Sequence, residues 1–448
     1  MKQKKNRFFS FSKIIDYLFQ ANNAFGLDIS DFSIEALQLK RYFKGVRVES
    51  YGRIKLEKGT VEDGEIFSKK ELQKKIEELL ENLKFKGPKL PEVIFSLPES
   101  KIFLHIFELP ANISAKELPR AIESEVLKTL PIDLSKLYFD FQVISKKVTI
   151  QEILYVAVEK RIVDDYLEVM DRVGLMPLAL DIESASLART FKSEVPLNGG
   201  MMILDIGARS TILTIFDQSA IRVSSIIKIA GNHFAKTISQ KLNISFKEAE
   251  KLKRTHGLDE KRGEGRVMFI LQNILNDILD KTKNLINFYQ VKTNREIRKV
   301  LLVGGSSLIP KLISYFATNL NIETKLGDLS TLYPGLKKKI QQKLFIKDII
   351  GPKDITKEQY IEERLHPVFF SNVIGLALRG LEIDPERDGI NLIPEAARLK
   401  EPAFIGRKLY KSKVFNLLVV MVTIFNLLFF AWVIYNYIVK PFLSTLIF

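Results

Sequence analysis

A chain of 448 residues predicts roughly two to four domains, and 46% hydrophobic content is ample to pack their cores. The absence of cysteine excludes disulfides, cysteine metal sites and thiol catalysis, and four scattered histidines show no metal spacing. A net charge of +15 would suit nucleic acid, but much of the excess flanks membrane-associated segments, where anionic lipid head groups account for it without any nucleic-acid partner.

Residues 1–23 form a basic amphipathic segment, with Phe8, Phe11, Ile15, Leu18 and Phe19 on one helical stripe that suits either the membrane interface or the flank of a folded lobe. It lacks the features of a cleaved signal peptide. Next comes Phe25 to Leu39, FGLDISDFSIEALQL, in which an apolar run ends in Leu-Asp-Ile, a tight turn follows, and an alternating strand leaves through Ser33. Met201 to Phe216, MMILDIGARSTILTIF, repeats the pattern 177 residues later (205 minus 28) and leaves through Ser210. One copy alone reads as an ordinary hairpin turn. A matched pair predicts two related lobes around one site, because an aspartate at a strand tip, beside free backbone N–H groups, suits a phosphate and its metal ion.

Between the hairpins, Val46–Leu56 reads as a third strand and Ser68–Leu83 as a covering helix with a Ser68/Glu71 capping box. Val93–Leu97 and Ile102–Phe107 are expected to pair as strands, followed by a helix from Ser114 to about Leu130. Strands over 137–144 and 152–159, a helix over 161–173 ended by Gly174, and a strand over 175–182 complete this half. The first lobe is thus expected over residues 24–197, with an inserted α+β subdomain at about 84–159, and the second lobe over 198–381.

The second lobe repeats the three-strand opening through Ile221–Ile229, then turns helical over 232–242, 245–255 and about 266–289. Lys299–Val303 runs into Gly304, Gly305, Ser306 and Ser307, with a helix expected near Leu308 and Pro310. This is a place for close backbone approach to an anion. Leu336–Arg364 is a lysine-rich solvated excursion, and Pro367–Leu381 is predicted as the last helix. A basic linker over 382–413 carries one apolar island, Ile390, Asn391, Leu392, Ile393 and Pro394. Val414 to Val439 then has 26 uncharged residues, where about 20 suffice to span a bilayer. Arg398, Lys400, Arg407, Lys408, Lys411 and Lys413 precede it and only Lys440 follows, which predicts a single-pass anchor with residues 1–413 in the cytoplasm.

The order of aspartate hairpin, inserted subdomain, second aspartate hairpin and Gly-Gly resembles the actin-like ATPase superfamily, an α/β fold of two ribonuclease-H-like lobes. Within it, VIFSLPESKIFLHIFELPANISAKELPRAIESEV, LDIESASLARTF, LDIGARSTILTIF, SFKEAEKLKR, LLVGGSSLIP and VIGLALRGL resemble the PilM family of type IV pilus assembly, relatives of FtsA, over roughly residues 25–381. GINLIPEAARL before a basic segment and one span is similar to the start of PilN, whose cytoplasmic peptide binds PilM.

The resemblance implies ATP and Mg²⁺ as cofactors, with Asp28, Ser30, Asp31 and Ser33 facing the phosphates from one side and Asp205, Gly207, Ala208, Arg209 and Thr211 from the other. Asp28 and Asp205 would hold the metal through water. Glu250, Lys253, Gly304, Gly305 and Ser306 would line the adenosine pocket, and Glu183 would position a water for attack on the γ-phosphate. Ser30 stands where the family usually has glycine, and Ala230 replaces the first glycine of a common pair. Lys281 and Asn284 replace an acidic residue and an arginine, so the resemblance implies nucleotide binding rather than fast hydrolysis.

The function expected is an inner-membrane, actin-like nucleotide-binding scaffold of a pilus assembly platform. Residues 389–394 would be a partner peptide able to dock in the same chain or a neighbouring copy. Two alternatives stand beside it. A sugar-kinase-type phosphotransferase would need a base and a polar sugar pocket, for which there is no candidate motif. A GspL-like component of type II secretion would carry a periplasmic domain after the span.

Overall fold

The computed structural model describes residues 24–42, 45–83, 91–129, 133–217, 220–329, 366–382, 384–398 and 413–439. The expected N-terminal stripe, the excursion at 336–364 and residues 383 and 399–412 of the basic linker lie outside them. Residues up to Pro394 form one compact unit, and residues from Glu395 onward form a second.

The first unit is built from two five-stranded sheets of identical topology. β1 (Phe25–Ile29), β2 (Ser33–Tyr42) and β3 (Gly45–Lys55) form an antiparallel meander. A short hairpin of β4 (Val61–Glu62) and β5 (Glu65–Ile66) and a helix, α1 (Lys69–Leu83), follow, before β6 (Glu92–Leu97) joins β1 in parallel. The chain then leaves the sheet as β7 (Phe103–Pro110), α2 (Leu118–Thr129), β8 (Leu137–Lys146) and β9 (Ile150–Glu159), which form a three-stranded sheet ordered β7-β9-β8. It returns through α3 (Lys160–Arg172) to β10 (Met176–Ile182), parallel to β6.

The first sheet is ordered β10-β6-β1-β2-β3. After α4 (Glu183–Thr190), the plan repeats with β11 (Gly200–Ile206), β12 (Thr211–Phe216) and β13 (Ile221–Ile227). There follow α5 (Gly231–Leu242), α6 (Phe246–Thr255), α7 (Arg266–Thr293), β14 (Ile297–Val303), α8 (Leu312–Leu320) and β15 (Glu323–Leu326). The second sheet is ordered β13-β12-β11-β14-β15.

Three expectations are corrected. Val93–Leu97 does not pair with the strand after it: β6 lies between β1 and β10, and β7 pairs with β9. The physical reason is that every residue of β6 after Glu92 is buried, as suits a central parallel strand covered on both faces. The out-of-sheet subdomain is therefore built from residue 103 onward. The helix expected from Ser114 begins at Leu118, the Ser114/Glu117 contacts closing the preceding turn instead. Past Gly304 the chain makes a 3₁₀ turn over Gly305–Leu308, and α8 starts only at Leu312, so the helix that follows the glycine pair does not begin at it.

The core follows from strand alternation. In β11, Met202 and Leu204 face a cluster with α5 and α7, whereas Met201 and Ile203 face the other way. That second face meets Leu37, Leu39, Val48 and Tyr51 of the first sheet. Between the two sheets lie Leu187 and Phe191, at and just beyond α4, and Val373, Ile374 and Ala377 of α9 (Ser371–Arg379). The expected final helix is thus a 3₁₀ turn over Pro367–Phe370 followed by α9.

The second unit contains α10 (Glu395–Arg398) and α11 (Lys413–Ile434), the latter continued by a π turn over Tyr435–Val439. Val419–Tyr437 is 19 residues long and apolar enough to cross a membrane.

Candidate functional site

Both aspartates occupy the same register. Asp28 lies opposite Glu35 and Asp205 opposite Ile212, each one residue before the end of its strand. The side chain of Ser30 folds into its own turn: its Oγ donates to the Ser33 carbonyl at 3.0 Å and accepts from Ser33 N at 3.1 Å. A serine in place of glycine is thereby accommodated. Ser33 Oγ donates to Glu35 at 2.7 Å, and Arg53 binds that carboxylate at 2.5 Å.

The two turns touch. Arg209 Nε lies 3.0 Å from Asp31 Oδ2, with its guanidinium 5.6 Å above the Phe32 ring. Asp31 also accepts from Asp63 N at 3.1 Å and Gly64 N at 3.2 Å. Its carboxylate holds the β4–β5 turn and the opposite lobe. Thr211 Oγ1 donates to the Ile229 carbonyl at 2.7 Å, so its hydroxyl ties down its own lobe.

Asp28, Asp205 and Glu183 form one electrostatic group. Burial, then Glu35 and Asp205, push the Asp28 carboxyl up to about 8, against a hydrogen bond with Asn372 and the charge of Arg53. Burial alone raises Asp205 to about 6. Burial, then Asp28 and Asp205, hold Glu183 well above the usual carboxyl range. Glu183 Oε2 accepts from Glu99 N at 3.1 Å, while the Glu99 carboxylate accepts from Ser184 N at 3.4 Å and from Ser224 Oγ, on the second lobe, at 2.6 Å.

A carboxyl raised in the folded state contributes stability that is complete below its unfolded pKa and is lost as pH rises through the folded value. Without added ligand, stability is therefore expected to decline from near pH 4 through about 6 for Asp205 and about 8 for Asp28. Asp28→Asn should flatten the curve, gaining about 1 kcal/mol or more at about pH 8.5 in urea unfolding. Parallel curves for variant and wild type would mean that the Asp28 shift is absent.

On the second lobe, four elements converge. Gly231 N donates to the Gly207 carbonyl at 3.1 Å and Ser306 Oγ to the same carbonyl at 2.9 Å. Lys253 Nζ is buried against the Gly231 carbonyl at 3.0 Å and Glu250 at 2.6 Å. A Cβ on Gly231 would lie 2.4 Å from Ser306 Oγ, and one on Gly304 only 2.2 Å from Asp205 Oδ1. These glycines let the strand ends close around Asp205. Ala230 is extended, at φ −163°, a conformation any residue adopts, so its difference from glycine strains nothing.

The apolar island of the linker is seated in the first unit. Asn391 is 1% exposed. Its Oδ1 accepts from Leu180 N and Ile393 N, both at 3.1 Å, and its Nδ2 donates to Leu178 O at 3.1 Å and Glu386 O at 3.0 Å. Its backbone N–H reaches Asp140 Oδ2 at 2.8 Å, and Leu392 N donates to Leu180 O at 3.0 Å. Ile390, Leu392 and Ile393 are buried, and Pro394 is half-buried. The segment lies against β10, between the first sheet and Asp140 of β8.

Sequence reasoning missed Glu99, Asn372 and Arg379. Arg379 is fully buried: it binds Asp181 at 3.0 Å and donates to Pro385 O at 2.8 Å and Ile390 O at 2.5 Å. The available signals were charged or amide residues inside apolar stretches, Arg379 in VIGLALRGL and Glu99 directly behind the buried FSLP run.

A solved structure of a PilM–PilN type IV pilus biogenesis complex matches with a TM-score of 0.65 at 20% identity, over 80% of this chain and 99% of that one. MreB5 of Spiroplasma citri bound to ADP matches at 17% identity and TM-score 0.42, over 69% and 93% of the two chains. The cell division protein FtsA of Buchnera aphidicola subsp. Schizaphis graminum (strain Sg) is 28% identical over an alignment of 127 residues, 24% of this chain and only 30% of that protein's length. The duplicated lobes are those of the actin-like ATPase fold. The profile of the type IV pilus assembly protein PilM family matches residues 26–350, and the chain belongs to that family.

Proposed function

We propose that this protein is a membrane-anchored, nucleotide-binding scaffold of the inner-membrane platform that assembles type IV pili. The observation that carries the nucleotide reading is the pair of congruent hairpins, whose aspartates share one register and one electrostatic group although 177 residues separate them (205 minus 28). The residues fit Mg-ATP: burial raises the carboxyls of Asp28, Asp205 and Glu183, the charge of Asp205 adds to the shift of Asp28 and those of both aspartates to that of Glu183, which a divalent cation would relieve, and Gly304 leaves Asp205 uncrowded. As the family resemblance implies, Asp28 and Asp205 would bind Mg²⁺ through water; among the described residues there is no group of three carboxylates or imidazoles placed to hold an ion. Gly207, Ala208 and Arg209 would meet the phosphates, Glu250, Lys253 and Gly304 to Ser306 the adenosine, and Glu183 a water. Mg²⁺ would supply charge neutralisation of the phosphates when bound. Asp31, Ser33 and Thr211 support these groups through the bonds described above.

Isothermal titration of the full chain with Mg-ATP tests this reading. Asp205→Asn should weaken affinity at least about tenfold. Equal affinity, or no binding by the wild type, would remove nucleotide from the function.

The partner side rests on the seated segment, which supports a PilN-like peptide presented in the same chain. Asn391→Ala would leave the amide of Leu180 and the carbonyl of Leu178 without their partner, each about 1–3 kcal/mol if it stayed buried. The segment should instead detach, and hydrogen exchange at the Leu392 amide should rise at least about tenfold. Unchanged exchange there would mean that the side chain does not hold the segment. The apolar helix and the basic residues before it would anchor the scaffold in the bacterial inner membrane, against anionic lipids and the other platform proteins.

A further inference from the structure

The seated segment and the aspartate cleft are joined by two helices that cross in backbone contact. A Cβ on Gly375 of α9 would lie 1.9 Å from the carbonyl oxygen of Ser186 in α4, so the helices meet with no side chain between them at that point. Polar bonds fix the crossing: Ser186 Oγ donates to Asn372 O at 2.6 Å, Thr190 Oγ1 to Ser371 O at 2.8 Å, and Arg189 to Gly375 O at 3.0 Å. On its other side α9 abuts β1, where a Cβ on Gly26 would come within 2.5 Å of the Val373 carbonyl. Packed interiors of this density move as a unit.

α9 reaches both places, and α4 runs from the cleft to Asp181, the carboxylate that Arg379 also binds. α4 begins with Glu183 in the cleft, and its Arg189 binds Asp181 at 3.0 Å. α9 carries Asn372, which donates to Ser96 Oγ at 2.9 Å and hydrogen-bonds Asp28. Two turns on, about 10 Å away, its Arg379 holds both Asp181 and the Ile390 carbonyl. A second route runs along β10, which bonds the segment at Leu178 and Leu180 and ends at Ile182, next to Glu183. The same helices contribute to the core between the two sheets, where a change in the lobe angle has to be accommodated.

We propose that α4 and α9 form a rigid wedge that couples the geometry of the cleft to the seating of Ile390–Pro394, so that whatever sets one biases the other. The extension to nucleotide rests on the reading above: Mg-ATP and the seated segment would then change each other's affinity by one common factor. The wedge makes the segment a reporter of the cleft, and it gives a membrane-tethered peptide a way to be offered or withheld according to ligand.

The test uses the full chain in detergent, with Asn391→Ala and, independently, Leu392→Asp to unseat the segment. Hydrogen exchange is read at single amides, with Met202 and Leu204 of the second-lobe core as the check that the fold survives. Without nucleotide, unseating should speed exchange of the Glu99 amide, bonded to Glu183, at least about fivefold. With Mg-ATP, the change in Leu392 exchange should equal the change in Mg-ATP affinity on unseating. A fast amide at position 392 with Glu99 unmoved in both variants overturns the wedge, whether or not ATP binds. A Glu99 response in a protein that binds no ATP upholds the wedge and removes the nucleotide reading.

Discussion

Arg379→Met is expected to destabilise the first unit by about 3 kcal/mol, the lower part of the range for breaking a buried ion pair. Arg379 and Asp181 are both fully buried, with Arg189 as the second cation. Burial raises the Asp181 carboxyl pKa, but Arg379 and Arg189 together outweigh it and hold the group below the ordinary range. Burial lowers the guanidinium of Arg379, yet guanidinium titrates so far above neutrality that it stays charged. Methionine would leave Asp181 with one cation, Arg189, and remove the bonds to Pro385 and Ile390. The effect should therefore appear both as a lower urea midpoint and as a released segment. Asp181→Leu combined with Arg379→Met should recover at least half of the midpoint, because an apolar pair no longer strands a charge. A single variant within 1 kcal/mol of wild type would show that this network does not hold the fold.

Gly304→Ala is expected to weaken Mg-ATP binding by at least about 100-fold, about 2.7 kcal/mol. Gly304 has φ +78°, in the region where a side chain meets steric resistance, and its Cβ would fall 2.2 Å from Asp205 Oδ1 and 2.7 Å from the Ile206 carbonyl. The aspartate and its strand end would have to move, since neither neighbour is a flexible tip. Gly305→Ala is the comparison at the neighbouring pocket residue. Its Cβ would meet the rim of the Phe369 ring at 3.0 Å, a contact that a small ring shift relieves, so its loss of affinity should be at least about tenfold smaller than that of Gly304→Ala. Equal losses in both variants would point to general loosening of the turn. No loss in Gly304→Ala would place the ligand away from Asp205.

The duplication was legible because it is written in local pattern. LDI, a turn and an alternating strand occur twice, and the structure sets both aspartates in matching register. The apolar helix over Val419–Tyr437 was legible from its unbroken apolar run, and the island from its apolar residues in a polar linker. Less visible was what the site residues do. Asp31, Ser33 and Thr211 were expected to face phosphates, yet each is engaged by atoms distant in sequence or across its hairpin: Gly64 and Arg209, Arg53, and Ile229. A hydroxyl or carboxylate in a turn announces a capacity to bond and leaves its partner open.

The sequence by itself determined the doubled hairpin, the helix faces, the long apolar helix and the amide inside the apolar island. Each of these depends on neighbours within a few residues and on periods of two or 3.6. Only the tertiary structure decided that β6 sits between β1 and β10, that Glu99 reaches Ser224 across the lobes, and that Asn391 meets Leu178 and Leu180. Those choices depend on which buried donors and acceptors remain unpaired once the sheets have formed. A buried polar group takes whatever partner the packing brings to it, and that partner can lie 211 positions away, as Leu180 does from Asn391.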